Sequence, residues 1–212
     1  MNSFLVKFSK AKNAIKKEGF AGGGRKVISG FFKMFRKVGS GDILFITQGV
    51  GDSARYRVHH AAEELEIHNF KCSVTIQDNP FLLRYADKFK IFIFHRIVHS
   101  EKIAEFIEAI KKQRKEIIFE TDDLIFDPQY IQQMEYYRSA SQAEKKILEK
   151  GVGREILIDP YVKTCTATTS YIADILKIYG KKVFIIPNKF SNKDLEIIKK
   201  IQDTRYKIQK QR

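Results

Sequence analysis

From residue 41 onward, short apolar runs alternate with longer stretches in which apolar residues recur at helical spacing. The apolar runs predict six strands, at 42–48, 71–77, 91–94, 116–120, 163–168 and 182–186. The stretches between them predict helices at 54–68, after Pro80, and at 101–114, 130–150, 171–179 and 192–204. Because the strands are apolar throughout, we expect a parallel sheet covered by helices on both faces. The predicted fold class is α/β, a doubly wound and mostly parallel Rossmann-like sheet.

The first 40 residues follow a different pattern, with two basic amphipathic stretches on either side of Gly22-Gly23-Gly24. Apolar residues recur at helical spacing at Phe4, Leu5, Phe8, Ala11 and Ile15, and again at Ile28, Phe31, Phe32, Phe35 and Val38. Ten lysines and arginines accompany one acid, Glu18, so nine of the fourteen excess positive charges of the chain lie here. We therefore predict a helical head at 1–40, a sheet domain at 41–190 and a charged helix at 191–212.

Two interpretations of the head remain open at this point. Its phenylalanines could enter a membrane interface while its lysines contact anionic head groups, at about 1 kcal/mol per charge. Alternatively, the two stretches pack on the body of the protein and expose a solvated lysine face. Nucleic acid is a weaker candidate partner, because the phenylalanines lie opposite the lysines rather than among them.

Composition narrows the cellular setting. At 43% hydrophobic and 30% charged residues, a chain of 212 residues can bury a core of ordinary domain size. No apolar run approaches the roughly 20 residues that a membrane-spanning helix needs. The two cysteines favour neither a disulfide framework nor a cysteine zinc site. We expect a cytoplasmic protein, with the inner membrane face as the place where the head would attach.

The turn after the first strand is the most informative candidate segment, because ligands of such sheets bind outside the carboxyl ends of the strands. Gly49 and Gly51 allow close approach of a ligand to the backbone, and Ser53 can cap the following helix. Arg55 and Arg57 add guanidinium donors for a diphosphate or a sugar. The third glycine of a dinucleotide-binding fingerprint is absent. A plain strand-to-helix turn with exposed arginines is the competing interpretation.

The ends of the later strands supply further polar candidates. His95 and Arg96 follow the third strand, where the imidazole could hold a proton or donate to a substrate hydroxyl. Thr169 follows the fifth strand and Asn188 the sixth. A histidine at a strand end is also commonly a hydrogen-bonded structural group, so both roles stay open for His95.

Four carboxylates crowd together after the fourth strand, at Glu120, Asp122, Asp123 and Asp127. Three interpretations compete: a metal site, hydrogen bonding to a sugar, and an acidic loop that caps the next helix. The acids are nearly consecutive and have no histidine beside them, which is poor metal-ligand spacing. Sugar binding and the capping loop are therefore the stronger two.

Taken together, these segments resemble the amino-terminal domain of GT-B glycosyltransferases, particularly those of family four. The resemblance covers about residues 41–190 and is carried by VGDSARYRVHHAAEEL, IFIFHR, FETDDLIFDP and TATTSYIADILKIYGKKVFIIPN in that order. It implies transfer of a sugar from a nucleotide-sugar donor to a glycan or lipid-linked acceptor, as in polysaccharide biosynthesis. Enzymes of this type generally need no bound metal, so the resemblance implies no cofactor beyond the donor itself.

The resemblance also implies roles for the candidate residues. His95, Asp122 and Asp123 would be catalytic, with the general base open between His95 and Asp122. Substrate contacts would come from Gly49, Gly51, Ser53, Arg55, Arg57, Arg96, Glu120, Thr169 and Asn188.

The sequence departs from that family after Asn188. The family's second domain, which carries most donor contacts, would begin there, yet 24 residues remain up to Arg212. We therefore expect that the isolated chain binds donor weakly, turns nothing over, and needs a separate carboxy-terminal domain. The alternative is a non-catalytic Rossmann-like binding or scaffold module that partners a glycosyltransferase at the membrane surface.

Overall fold

The computed structural model describes residues 37–49 and 51–210. Within this part of the chain, six strands form one sheet in which every neighbouring pair is parallel. The strand order is β2-β1-β3-β4-β5-β6. The strands are β1 (Ile43–Thr47), β2 (Cys72–Ile76), β3 (Ile91–His95), β4 (Glu116–Thr121), β5 (Thr164–Ala167) and β6 (Lys182–Ile185). This confirms the predicted α/β, Rossmann-like fold class.

Helices connect successive strands. The chain leaves β1 through α1 (Asp52–Ala54), a π-helical stretch at Arg55–His59 and α2 (His60–Ile67), which run on without interruption. A 3-10 turn (Leu82–Tyr85) precedes β3. The later helices are α3 (Glu101–Lys112), α4 (Pro128–Ile131), α5 (Glu135–Ser139), α6 (Gln142–Leu148), α7 (Arg154–Ile158), α8 (Ser170–Ile178) and α9 (Asn192–Lys210). No described helix has both the length and the apolar composition to cross a bilayer.

Two of the predicted helical regions, 130–150 and 1–40, do not appear in the structure as single described helices. The single helix predicted at 130–150 is wrong: α4, α5 and α6 replace it, because new helix starts interrupt the run. Ser141 begins α6 with a capping box that it shares with Glu144. The helices predicted for residues 1–40 lie outside the described residues, apart from residues 37–40, which are not helical.

The core lies on both faces of the sheet, as the continuous apolar strands predicted. One face packs Leu44, Ile46, Phe92 and Phe94 of the central strands against helices that include α3 and α8. On the other face, Ile43 and Phe45 pack with Val58 and Ala62. Side chains alternate between faces along a strand, so an apolar run of five residues serves both faces at once.

The helices that cover the larger core begin at capping residues. Ser100 accepts a hydrogen bond from the Ile103 amide at the start of α3, and Thr169 does the same for Ile172 at the start of α8. Such caps satisfy amides that the first helical turn leaves unpaired, at about 1 kcal/mol each. They fix where the chain turns back from the carboxyl end of the sheet.

The direction of the strand order reverses between β1 and β3. The chain leaves β1 toward β2 on one side, and β3 pairs with β1 on the other side. The connections at the carboxyl ends of β1 and β3 therefore run apart, which is the position where parallel α/β sheets bind ligands.

A pair of glycines tests the packing around Phe126. Gly151 and Gly180 both have left-handed backbones, with φ of 81° and 72°. A Cβ on Gly151 would lie 2.2 Å from the Phe126 carbonyl oxygen, whereas a Cβ on Gly180 meets no atom within 4 Å. We expect Gly180→Ala to cost about 1 kcal/mol of unfolding free energy, from backbone strain alone. Gly151→Ala should cost about 2 kcal/mol more, because the added methyl collides with backbone.

Urea denaturation of the two alanine variants measures this difference directly. Equal losses of stability in both would contradict the packing described around Phe126.

Candidate functional site

Four polar residues lie side by side at the carboxyl end of the sheet. Thr47 of β1 is in register with His95 of β3, His95 with Glu120 of β4, and Glu120 with Thr166 of β5. We call these four residues the polar row. In-register residues of parallel strands point to the same face, and all four are buried. Buried polar groups need hydrogen-bond partners, so these four side chains require polar neighbours at the carboxyl end of the sheet.

His95 links the row to the turn after β1. Its Nδ1 lies 3.0 Å from the Thr47 hydroxyl oxygen, and its Nε2 lies 2.9 Å from the Ser53 hydroxyl oxygen. Ser53 donates its one hydroxyl proton to Asp122 Oδ2, at 2.6 Å. The Ser53 oxygen therefore accepts from His95, which puts a proton on Nε2. We call Ser53, His95 and Asp122 the Ser-His-Asp cluster.

Asp122 is ionised, and only one of its two carboxylate oxygens forms a hydrogen bond among the described residues. Burial raises the pKa of this carboxyl, but the neighbouring His95, the hydrogen bond from Ser53 and the charge of Arg96 outweigh that effect and lower the pKa to about 2. Its Oδ1 is buried and has no hydrogen-bond partner among the described residues. Nitrogens of two basic side chains lie nearby, 3.7 Å away on His95 and 3.9 Å away on Arg96. A buried acceptor in this position favours a hydrogen-bond donor from a ligand.

Arg96 and Asp123 form the solvent-facing rim of the cluster. Their charged groups lie 2.9 Å apart, and the side chains are 28% and 32% exposed. Arg96 has a left-handed backbone with φ of 52°, which costs a non-glycine residue about 1–3 kcal/mol. Burial raises the pKa of Asp123, and the charge of Arg96 opposes that rise. The rim therefore offers both donors and acceptors to an incoming molecule.

A buried ion pair stands beside the cluster. Arg57 donates from Nε and one terminal nitrogen to the two oxygens of Glu120, at 2.7 and 3.0 Å, and both side chains are less than 5% exposed. The other terminal nitrogen donates to the Ile186 carbonyl oxygen and, at 3.2 Å, to Asn188 Oδ1. The Thr166 hydroxyl also donates to Glu120. Burial raises the pKa of Glu120, while Arg57 and Thr166 oppose that rise.

The local backbone explains why Arg57 and Arg55 have different partners. Both lie in the π-helical stretch, whose i→i+5 hydrogen bonds span one more residue than those of an α-helix and so change the direction of its side chains. Arg57 turns inward to Glu120. Arg55 is 48% exposed and pairs with Asp194 at the start of α9. The structure therefore does not bring Arg55 to the cluster.

The other predicted site residues fall into two groups. Asn188 reaches the buried pair through Arg57. Thr169, by contrast, uses its hydroxyl to cap α8, where it accepts a hydrogen bond from the Ile172 amide. Gly49 and Gly51 have no left-handed backbone, and a Cβ on either would meet no atom within 4 Å. Neither glycine is required by the local fold, but the space beside both is open.

The sequence analysis missed Thr47 and Thr166 of the polar row and Asp194. Both threonines lie inside the predicted strands 42–48 and 163–168. Each is nevertheless in register with a predicted site residue on the neighbouring strand. The rule that located His95 and Glu120 would have located them as well. Asp194 carried no such signal, because its contact with Arg55 spans 139 positions of sequence. Among the described residues, no three His, Cys, Asp or Glu side chains are grouped to hold a metal ion.

Substitution of Arg57 should lower the free energy of unfolding much more than substitution of Arg55. Arg57→Met leaves Glu120 buried without its partner, so we expect a loss of about 3–5 kcal/mol in unfolding free energy at pH 8. The Arg57 guanidinium opposes the rise that burial causes in the pKa of Glu120, so removing Arg57 raises that pKa further. A carboxyl with a raised folded-state pKa costs stability as pH rises through that value, and the cost disappears where the carboxyl is protonated at lower pH. The loss should therefore be smaller at pH 5, and denaturation at both pH values measures it.

Arg55→Met is the matched control, because its half-exposed ion pair contributes less than about 1 kcal/mol. Similar losses for the two methionine variants, or a loss in Arg57→Met that does not change with pH, would contradict the assignment.

No model of a known protein family matches this sequence, and comparison with curated proteins gives no match. The interpretation of the site therefore depends on its geometry and on the sequence pattern described above.

Proposed function

We propose that this domain is the acceptor-side half of a glycosyltransferase of the GT-B type. In this proposal it takes part in sugar transfer from a nucleotide-sugar donor to a glycan or lipid-linked acceptor. One observation carries the proposal: the Ser-His-Asp cluster, Arg96 and Asp123 converge at the carboxyl ends of β1, β3 and β4, where the strand order reverses. Such reversal points are where parallel α/β sheets bind ligands.

The donor and acceptor pattern of the rim fits a carbohydrate. A sugar presents many hydroxyl groups, each of which both donates and accepts. Asp122 Oδ1 is a buried acceptor that lacks a donor, and Asp123 supplies a second carboxylate within reach of solvent. Arg96 adds guanidinium donors between them. A hydroxyl that donates to Asp122 Oδ1 would satisfy the one unpaired atom of the cluster.

The electrostatics of the cluster suggest how its members divide the work. A carboxylate with a pKa near 2 is a weak proton acceptor at neutral pH, so Asp122 would act by orienting the acceptor hydroxyl and by its charge. His95 donates to Ser53, which in turn holds Asp122, so His95 would be a positioning residue. Asp123 and Arg96 would hold neighbouring hydroxyls of the acceptor.

The turn after β1 would face the donor. The open space beside Gly49 and Gly51 leaves room for a diphosphate to approach the backbone. Arg57 and Glu120 are committed to each other, so in this proposal they support the site rather than contact the substrate. The remaining donor contacts would come from a second domain or from a partner chain.

A second candidate function is a binding or scaffold module that partners a glycosyltransferase. One observation favours it, because Arg55 pairs with Asp194 instead of facing the cluster. Apolar side chains are also exposed along β6 and α9. These side chains are Phe184, Ile185, Ile186, Phe190, Leu195, Ile197 and Ile201. An exposed apolar strip of this kind suits a docked domain in either proposal.

Ligand titration of the full chain tests the first proposal. We expect UDP-glucose, GDP-mannose or a short glycan to shift the amide NMR signals of Gly51, Ser53, Arg96 and Asp122. Binding should be weak, and no sugar transfer should occur. Asp122→Asn should weaken binding about tenfold or more, because hydrogen bonds to charged groups contribute about 1.5–3 kcal/mol.

Asp174→Asn is the matched control, because that aspartate is exposed on α8 and pairs with Lys177. Titrations that shift only signals remote from the cluster, or that respond equally to both substitutions, would favour the scaffold function. Efficient sugar transfer by this chain alone would contradict the half-enzyme proposal.

A further inference from the structure

A groove with an apolar floor runs along β2, the strand at one edge of the sheet. It encloses about 370 Å³, and its floor is formed by Ala62 of α2 and by Cys72, Val74 and Ile76 of β2. The three β2 side chains are only partly buried. We call this feature the β2 groove. An edge strand with apolar side chains open to solvent is a surface that proteins usually cover.

The upper rim of the β2 groove is acidic. Glu63 and Glu66 of α2 both line it, with the single lysine Lys37. Glu66 lies close enough to Cys72 to raise the pKa of its thiol. The groove therefore presents an apolar floor beside two carboxylates and one lysine. A segment with one apolar face and one basic face is complementary to it.

The chain itself leads such a segment to the groove. Lys37 and Val38 line one end of it, and the Val38 amide donates to the Tyr85 hydroxyl at 3.3 Å. The Lys37 ammonium lies 5.3 Å from the centre of the Phe81 ring. The described part of the chain therefore begins beside the groove, at Lys37. Val38 is also the last member of the apolar stripe in the sequence of residues 25–38.

We propose that residues 25–36 dock in the β2 groove of their own chain. Their apolar stripe, Ile28, Phe31, Phe32 and Phe35, would cover the floor, and their basic residues, Arg25, Lys26, Lys33 and Arg36, would approach Glu63 and Glu66. The lengths agree, since twelve helical residues span about 18 Å and the five residues of β2 span about 17 Å. This inference does not depend on the proposed function.

Two arguments favour the chain's own segment over other occupants. A tethered segment has an effective concentration of about millimolar, which a separate molecule seldom reaches. A second copy would carry the same excess of fourteen positive charges, so approach of two copies is opposed by repulsion. A segment held in the groove cannot at the same time bury its phenylalanines in lipid. A membrane would therefore compete with the groove for this segment. The test below distinguishes binding to the groove from binding to a membrane.

The position of the groove also connects the segment with the candidate site. Thr47 and Gly49 line the groove, and Thr47 contacts His95 of the Ser-His-Asp cluster. Residues docked there would lie beside the turn that follows β1.

Cys72 provides a reporter inside the groove. Burial and the nearby Glu66 raise the pKa of its thiol to about 11, whereas Cys165 is wholly buried with a pKa of about 12. We expect Phe32→Asp together with Phe35→Asp to speed alkylation of Cys72 by iodoacetamide about tenfold in the full chain. Phe4→Asp together with Phe8→Asp is the matched control and should leave the rate unchanged. Peptide mass spectrometry separates the two cysteines.

A charge exchange removes the influence of Glu66 on the thiol itself. Glu63→Lys with Glu66→Lys should speed the alkylation, in part because the thiol pKa falls. Adding Lys33→Glu and Arg36→Glu should slow it again, which only a docked segment explains.

Three results would overturn the proposal. The first is a Cys72 rate in the Phe32→Asp, Phe35→Asp variant that equals the parent rate, which would leave the segment free for a membrane. The second is protection that increases with protein concentration, which would assign the groove to a second copy. The third is a Cys72 alkylation rate that stays fast when Lys33→Glu and Arg36→Glu are added to the Glu63→Lys, Glu66→Lys variant.

Discussion

The carboxyl end of this sheet depends on one buried ion pair, between Arg57 and Glu120. Taking both charges out of water costs several kcal/mol for each ion, and only bidentate geometry with further hydrogen bonds offsets that cost. The pair meets this requirement, because Thr166 also donates to Glu120 and Arg57 also donates to the Ile186 carbonyl oxygen. Arg57 thus ties the helical run after β1 to β4 and to the chain that follows β6, and Glu120 links β4 to β5.

The candidate site follows from that constraint. Ser53 and Arg57 are four residues apart in one helical run, so anchoring Arg57 to the sheet also fixes where Ser53 lies. Ser53 then bridges His95 and Asp122, with Asp122 left as an anion that has one unpaired oxygen near the solvent-facing Arg96 and Asp123. The buried pair is structural, and the groups that a ligand can reach are its neighbours.

Much of this arrangement could be predicted from the sequence, because apolar runs locate strands and strand ends locate polar candidates. That reasoning found the six strands and brought His95, Glu120 and Asp122 to one edge. It could not distinguish Arg57 from Arg55, since the π-helical stretch that turns one inward has no recognised sequence pattern. It also joined residues 130–150 into one helix, because local periodicity outweighed the cap at Ser141.

The most direct test of this account is a double-mutant cycle on the buried pair. Unfolding free energies of Arg57→Met, Glu120→Leu and the double variant give the coupling between the two side chains. If the pair fixes the edge as described, each single variant leaves a buried charge unpaired. The double variant should then be more stable than either single variant, as for other buried pairs replaced by apolar residues. Additive losses, with the double variant the least stable of the three, would contradict the account.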